Sequence, residues 1–328
     1  MNYKKIMFTA CTLVAQGTCG LALPGVAAAQ EYPSKPIRFV VPFAAGGGTD
    51  ALTRIIGQKL TESMGRPVVV DNRPGAAGAV GADVVAKAAP DGYTLIMILS
   101  SHVINPSLYK KLPYDTINDF SPVILVNAAP RILVINPAVP ASNLKEFIAY
   151  GKANPGRMNY ASGGRGTLAQ LAAEMLNSFA GIKIVHLTYK GGGPLLVALL
   201  ANEAQMTFGS PSTVLPYIKT GRLRGLGTTA ARRSEMMPDV PTIHEAGIPG
   251  YEAVEWNAVL APARTPKAII SRLNKEIQLV LDRPDIKKTL AELGNDGLGG
   301  TPEQCGSYLK SEMAKYAGIV KAAGILPE

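Results

Sequence analysis

The chain has 328 residues, with 33 lysines and arginines against 24 acids and a formal net charge of +9. The basic residues are scattered, Arg232-Arg233 is the one arginine pair, and no basic run carries interleaved aromatics, which argues against nucleic acid as a partner. Only three cysteines and three histidines occur, and His102, His186 and His244 show no ligand spacing, so no metal site is expected.

The first 29 residues read as a signal peptide. Lys4 and Lys5 precede a mostly apolar run from Ile6 to Val26, and Ala27-Ala28-Ala29-Gln30 supplies a small-residue cleavage site after Ala29. The run is broken by Gln16, Gly17, Thr18, Gly20 and Pro24, which suits a removed leader better than a spanning helix. Cys11 and Cys19 lie inside it, so the mature chain keeps Cys305 alone and needs no disulfide at about 300 residues. Loss of Lys4 and Lys5 takes the net charge from +9 to +7. A mildly basic exported protein suits anionic solutes, or simply solubility.

The next stretch is the most informative. Apolar Phe39–Val41 stops at Pro42, Gly46, Gly47 and Gly48 precede Thr49 and Asp50, and apolar positions recur at Leu52, Ile55, Ile56 and Leu60. That is a buried strand, a glycine turn and the start of an amphipathic helix. Glycines admit close backbone approach, and a helix N-terminus offers unpaired N–H groups to an anion. The same residues fit the loose dinucleotide fingerprint G-x-G-x-x-G/A, with Asp71 where a ribose-binding acid would stand. A leader that sends the chain out of the cytoplasm argues against that cofactor, and no cofactor is expected.

Strand signals follow one another at Ile37–Val41, Val68–Val70, Thr94–Leu99, Val123–Val126, Ile132–Ile135, Met158–Tyr160, Ile184–Leu187, Met206–Phe208, Leu223–Thr228 and Val254–Ala261. Helix signals lie between them at Asp50–Met64, Ala77–Ala88, Leu144–Ala153, Thr167–Phe179, Pro194–Ala201, Val214–Thr220, Pro266–Leu281, Pro284–Leu293 and Pro302–Ala323. Alternation of this kind means α/β with mainly parallel sheets. One sheet of that many strands is unlikely in a core of this size, so two lobes are expected. Ser121–Pro137 and Arg222–Pro241 are extended and read as crossovers. One lobe would then be discontinuous, residues 30–126 plus 227–328, and the other would hold 127–226.

Ligands of open α/β sheets sit at the carboxyl ends of strands. The loops there are glycine- or hydroxyl-rich, and they supply the candidate site residues. The first loop offers Phe43, Ala44, Gly46, Gly47, Gly48, Thr49 and Asp50. The second offers Gly75 and Ala76. The third offers Ser162, Arg165, Gly166 and Thr167, and the fourth Tyr189, Lys190 and Gly191. A fifth, weaker loop adds Gly209 and Ser210. Helix N-termini facing across a cleft make a carboxylate clamp from backbone alone. Arg165, among glycines, offers a bidentate fork. Asp50 and Thr49 equally suit a helix cap with an Asp50–Arg54 pair, and Thr167 suits a cap of the following helix. Trp256 lies on an apolar strand and suits the core better than the cleft. No G-x-S-x-G elbow, Walker lysine or H-E-x-x-H appears, so no catalytic residue is assigned.

Several longer motifs carry a resemblance. Tyr32-Pro33-Ser34-Lys35-Pro36-Ile37-Arg38, the Pro42–Asp50 loop, Val69 to Ala76, Ala89-Pro90-Asp91-Gly92-Tyr93-Thr94-Leu95, Tyr189 to Pro194 and Pro238-Asp239-Val240-Pro241-Thr242 resemble the receptors of tripartite tricarboxylate transporters, the Bug family. The resemblance covers essentially the whole mature chain. It implies a periplasmic solute-binding protein of the two-lobed type II fold, while the missing catalytic motifs argue against an enzyme and the lack of a long exposed apolar stripe predicts a monomer. Such a receptor would hold a small carboxylate (an organic acid, an acidic amino acid or an aromatic acid) through backbone groups, hydroxyls and bridging waters, and pass it to membrane transporter subunits. The chain departs from the family where Gln170 stands for a histidine, where Phe208-Gly209 stands for Phe-Asp, and where Ala44-Ala45 stands for Pro-Gly. The competing reading is an exported α/β hydrolase or nucleotide-dependent enzyme.

Overall fold

The computed structural model describes residues 32–189, 192–233, 238–322 and 324–327. The expected signal peptide with its cleavage point, Lys190 and Gly191 lie outside them.

Two sheets are built. In the first, β1 (Ile37–Val41) pairs in parallel with β2 (Val68–Asn72) and β3 (Thr94–Leu99). Beyond β3 come β10 (Val254–Pro262), β4 (Phe120–Pro130) and β11 (Asp296–Gly299), each antiparallel to its neighbour. In the second, β6 (Asn159–Ser162) pairs in parallel with β7 (Val185–Thr188) and β8 (Met206–Gly209), while β5 (Ile132–Ile135) runs antiparallel to β8 and β9 (Arg224–Thr228). The two-lobed α/β architecture therefore stands, with both sheets mixed. Parallel neighbours need a crossover helix, and the strands that pass directly between sheets have none. β4, β5, β9 and β10, which carry the chain between the sheets, all pair antiparallel, as β11 does at the edge of the first.

Helices flank both sheets. In chain order they are α1 (Gly48–Met64), α2 (Ala79–Ala86), α3 (Ser101–Leu108), α4 (Leu144–Ala153), α5 (Leu168–Ala180), α6 (Gly192–Leu200), α7 (Pro211–Lys219), α8 (Lys267–Leu281), α9 (Pro284–Glu292) and α10 (Pro302–Ala322). Each segment predicted as a strand or helix forms that element, with ends shifted by a few residues. Two elements were not predicted. α3 is short and carries Pro106 inside it, and β11 is Asp-Gly-Leu-Gly, poor in strand formers and mostly exposed.

The chain leaves the first sheet at Pro130 and enters the second at Ile132, so a single residue, Arg131, makes the outward passage. The return runs from Thr228 to Val254. The two passages are tied together, since the Arg131 N–H donates to Thr229 Oγ1 at 2.8 Å and the Thr229 N–H donates to the Arg131 carbonyl at 2.9 Å. One continuous apolar core runs through both lobes, from Val40 and Ile96 to Leu133 and Tyr160. Trp256 is a core residue, fully buried, with Nε1 donating to Glu312 at 2.9 Å.

Truncation at this position leaves a large cavity and takes the donor from one oxygen of the buried Glu312, whose other oxygen pairs with Lys315. Trp256→Ala should lower unfolding stability by about 3–5 kcal/mol in urea titrations followed by circular dichroism.

Candidate functional site

The loop after β1 is shaped by its own residues. Gly46 takes φ +85, which a residue with a Cβ adopts only under strain. The chain then turns into α1, capped at Gly47. Asp50, three positions into the helix, is buried and reaches back: its Oδ2 accepts from the Gly46 N–H at 2.9 Å and from Arg54 Nε at 3.0 Å, and its Oδ1 accepts from Asn72 Nδ2 at 2.9 Å. This is the acid half of a capping box, displaced by one residue. Burial works to raise the Asp50 pKa, but bonds from Arg54, Gly46 and Asn72, with the Arg54 charge, outweigh it and hold it at about 2. Asn72 Nδ2 also donates to the Phe43 carbonyl at 3.0 Å, fixing where the loop begins.

The facing wall comes from the second sheet. Thr167 caps α5, accepting from the Gln170 N–H, and Gln170 Oε1 accepts from the Gly166 N–H at 2.8 Å. Gln170 thus supplies the second half of a Thr-x-x-Gln capping box, displaced by one residue as at Asp50. Ser210 caps α7, with its hydroxyl 2.7 Å from that of Thr213. Ser162 is fully buried and its hydroxyl lies 2.6 Å from His186 Nε2. Burial lowers the His186 pKa, with Glu174 opposing and Arg165 assisting, so the ring stays neutral near pH 7. The bond braces β6 against β7, and Ser162 borders neither of the cavities that lie between the walls.

Two adjoining cavities lie between these walls, of about 230 and 430 Å³. They share Phe43, Leu99, Arg131, Gly192, Ser210, Thr213 and Glu255. The larger one also meets Gly47, Gly48, Thr49 and Asp50, and three asparagines at its floor, Asn127, Asn257 and Asn295. Asn127 Nδ2 donates to Asn295 Oδ1 at 2.7 Å, and Asn257 Nδ2 reaches Thr49 Oγ1 at 3.4 Å. The smaller one meets Thr167, Leu168 and Gly209.

Of the predicted residues, Phe43, Gly47, Gly48, Thr49, Asp50, Thr167, Gly209 and Ser210 border this space. Ala44, Gly46, Gly75, Ala76, Ser162, Arg165, Gly166 and Tyr189 border neither cavity. The second loop instead meets the opposite lobe at Gly166, where a Cβ would stand 3.3 Å from the Ala77 Cβ, and it is held within its own lobe by Asn105 Nδ2, which donates to the Ala77 carbonyl. Arg165 donates from Nη2 to the Leu326 carbonyl at 2.5 Å, near the chain's C-terminal end. The Tyr189 N–H donates to the Ser162 carbonyl at 2.9 Å.

Sequence reasoning missed Arg131, Glu255 and the asparagines. Arg131 and Glu255 form an ion pair through Arg131 Nη2, and Ser100 Oγ donates to the other Glu255 oxygen at 2.6 Å. The available signal was their setting, polar residues inside apolar strand runs, where burial without a purpose is costly.

A two-lobed α/β fold with a polar cleft at its strand ends defines a solute-binding protein. Comparison with known proteins agrees: the family model of the tripartite tricarboxylate transporter family receptor matches residues 52–325. This chain belongs to that family, whose members are receptors and not enzymes. It is similar to protein BugT of Bordetella pertussis, 36% identical over 99% of each chain. Among solved structures it resembles an R. palustris protein with adipate, at TM-score 0.84 and 32% identity over 90% of this chain and 100% of that one. It also resembles MatC of Rhodopseudomonas palustris with bound malate, at TM-score 0.78 and 31% identity over 88% and 100%. Among the described residues no helix is long and apolar enough to cross a membrane.

Because the folded pKa of Asp50 lies below its ordinary 3.8, its contribution is present above that value and is lost as pH falls toward about 2. Asp50→Asn should cost about 1.5–3 kcal/mol at pH 7, and the gap from wild type should close over that acidic interval in urea titrations.

Proposed function

We propose that this chain is an extracytoplasmic receptor that takes a small carboxylate into the interlobe cleft and delivers it to the membrane subunits of a tripartite tricarboxylate-type transporter. One observation carries the reading. Four helices, α1, α5, α6 and α7, begin at the cleft, and Gly48, Thr167, Gly192 and Ser210 at their starts border its cavities. The first N–H groups of a helix have no acceptor within it, and its N-terminal end carries partial positive charge. Four such ends around one small space favour a carboxylate without requiring any one cation.

The relatives support the same chemistry, since adipate and malate are both dicarboxylates. The cleft is large enough for a small organic acid. In this reading Gly47, Gly48, Thr49, Gly209 and Ser210 face the ligand, with Phe43 as the apolar wall. Lys190 and Gly191 join them on the sequence pattern of the fourth loop alone. The basic and apolar N-terminal pattern ending at Ala29 supports export, and the receptor works as a monomer.

A thermal-shift screen of mono-, di- and tricarboxylates, aromatic acids and acidic amino acids tests the reading. A true ligand at a hundredfold excess over its Kd adds about 2.7 kcal/mol. Solution scattering should show a monomer that becomes more compact as the lobes close. No shift and no compaction with any acid would overturn the proposal. For delivery, cells lacking the receptor gene should lose uptake of the labelled acid.

Gly47 offers a sharper probe. It has φ −80, and an added Cβ would meet only the Ala44 carbonyl oxygen, at 3.7 Å. Gly47→Val should leave the apo melting temperature within a few degrees of wild type, as expected for a surface change of about 0.5 kcal/mol. The same variant should lose the ligand-induced shift. A collapsed apo melting temperature with ligand response intact would make this glycine a turn residue only.

A further inference from the structure

The Arg131–Glu255 pair stands apart from the backbone clamp, and nothing in the clamp explains it. It borders both cavities at the one residue where the chain passes from the first sheet to the second. Its two side chains are only 23% and 13% exposed. A plain carboxylate receptor has no use for a half-buried acid beside its ligand, because like charges repel strongly where water is scarce.

The hydrogen bonding of the pair is incomplete in a specific way. Glu255 accepts one bond on each oxygen, from Arg131 Nη2 and from Ser100 Oγ, so each oxygen keeps acceptor capacity. Arg131 spends Nη2 on Glu255. Its Nε is enclosed and has no partner among the described residues. Its Nη1 donates to no described residue either, and it is not among the enclosed atoms. Buried polar groups are normally satisfied, so a guanidinium left this short of acceptors calls for an explanation. The pair thus presents a donor edge and an acceptor edge side by side to one small space.

We infer that the Arg131–Glu255 pair sets ligand class: it selects acids that carry a hydrogen-bond donor, an ammonium or a hydroxyl, on the carbon next to a carboxylate. The carboxylate takes Arg131 Nη1, and the neighbouring donor takes a free lone pair of Glu255. An acid without that donor displaces water from the open lone pairs of Glu255 and returns no hydrogen bond, so a site built to pair with a donor rejects the analogue that lacks it. The inference rests on the carboxylate-receptor reading above and narrows it to α-hydroxy and α-amino acids.

The test uses two sets of acids that differ only in the donor: succinate, malate and aspartate, then propionate, lactate and alanine. Isothermal titration calorimetry of the wild-type protein should show malate or aspartate binding at least about tenfold tighter than succinate, or lactate or alanine tighter than propionate by the same factor. Glu255→Gln keeps the shape and removes the charge. It should cut the preference for the ammonium acid over the plain acid by about tenfold, while affinity for the plain acid holds or improves. Arg131→Gln should instead weaken all members of a set alike. If Glu255→Gln does not fold, the wild-type ratios decide alone. Plain acids bound as tightly as their donor-bearing partners, or a ratio unmoved in folded Glu255→Gln, would overturn the inference and leave the receptor reading standing. Failure of every acid in the broad screen would remove both.

Discussion

The geometry of the cleft depends on how the chain changes sheets. A passage of one residue leaves no slack, so the last turn of β4 and the first of β5 are held at fixed separation. Hydrogen bonds between Arg131 and Thr229 in both directions tie the outward passage to the return, and the Ala253 N–H donating to the Thr229 carbonyl carries the tie on toward β10. Strand ends of both sheets therefore open toward a shared space. Every loop that borders the cleft inherits its position from that join.

Within this frame the loops divide their work by chemistry. Asp50 turns inward to Gly46, Arg54 and Asn72; Thr167 accepts from the Gln170 N–H while the Gln170 side chain accepts from the Gly166 N–H; Ser162 meets His186; Ser210 meets Thr213. The polar side chains of the loops are spent on building the loops. What remains for a solute is the backbone of the helix starts. Such a site is built before its ligand arrives, so binding forfeits little to ordering the protein. It also explains why the glycines are in the loops at all: side chains there would cover the N–H groups that the fold has gone to some length to expose.

This division accounts for what was legible in the sequence. Local signals were strong wherever a residue serves its own neighbours in the chain. Alternation of apolar runs and helical periodicity located the main strands and helices, and the Gly46–Asp50 run announced a turn into a helix. The Asp50–Arg54 pair, four residues apart, could be read for the same reason. Trp256 read as core because it shares one strand face with the apolar Val254, Ala258 and Leu260. α3 and β11 escaped, one interrupted by proline and the other built on glycines, so their structure comes from packing rather than propensity. Arg131 and Glu255 escaped for a deeper reason: they meet across 124 residues, and no periodicity connects them. Arg165 shows the converse. A lone arginine among glycines has no local pattern to say where it points, and its partner is the Leu326 carbonyl, 161 residues away.

The consequence for specificity is a separation between affinity and choice. A ring of helix starts attracts a carboxylate by partial charges spread over many N–H groups, and such a field is tolerant of what the acid is attached to. Discrimination needs groups whose bonding fails when the wrong solute enters, and those must be fixed, enclosed and short of partners. Among the described residues that border the cleft, the floor meets these conditions better than the loops do. Asn127 and Asn257 are almost fully buried, Asn127 Oδ1 has no partner among them, and Arg131 and Glu255 lie on the join that cannot move without moving a lobe. Loops can vary in sequence and still cradle an anion. On the proposed reading, change in the floor alters which anion is worth holding.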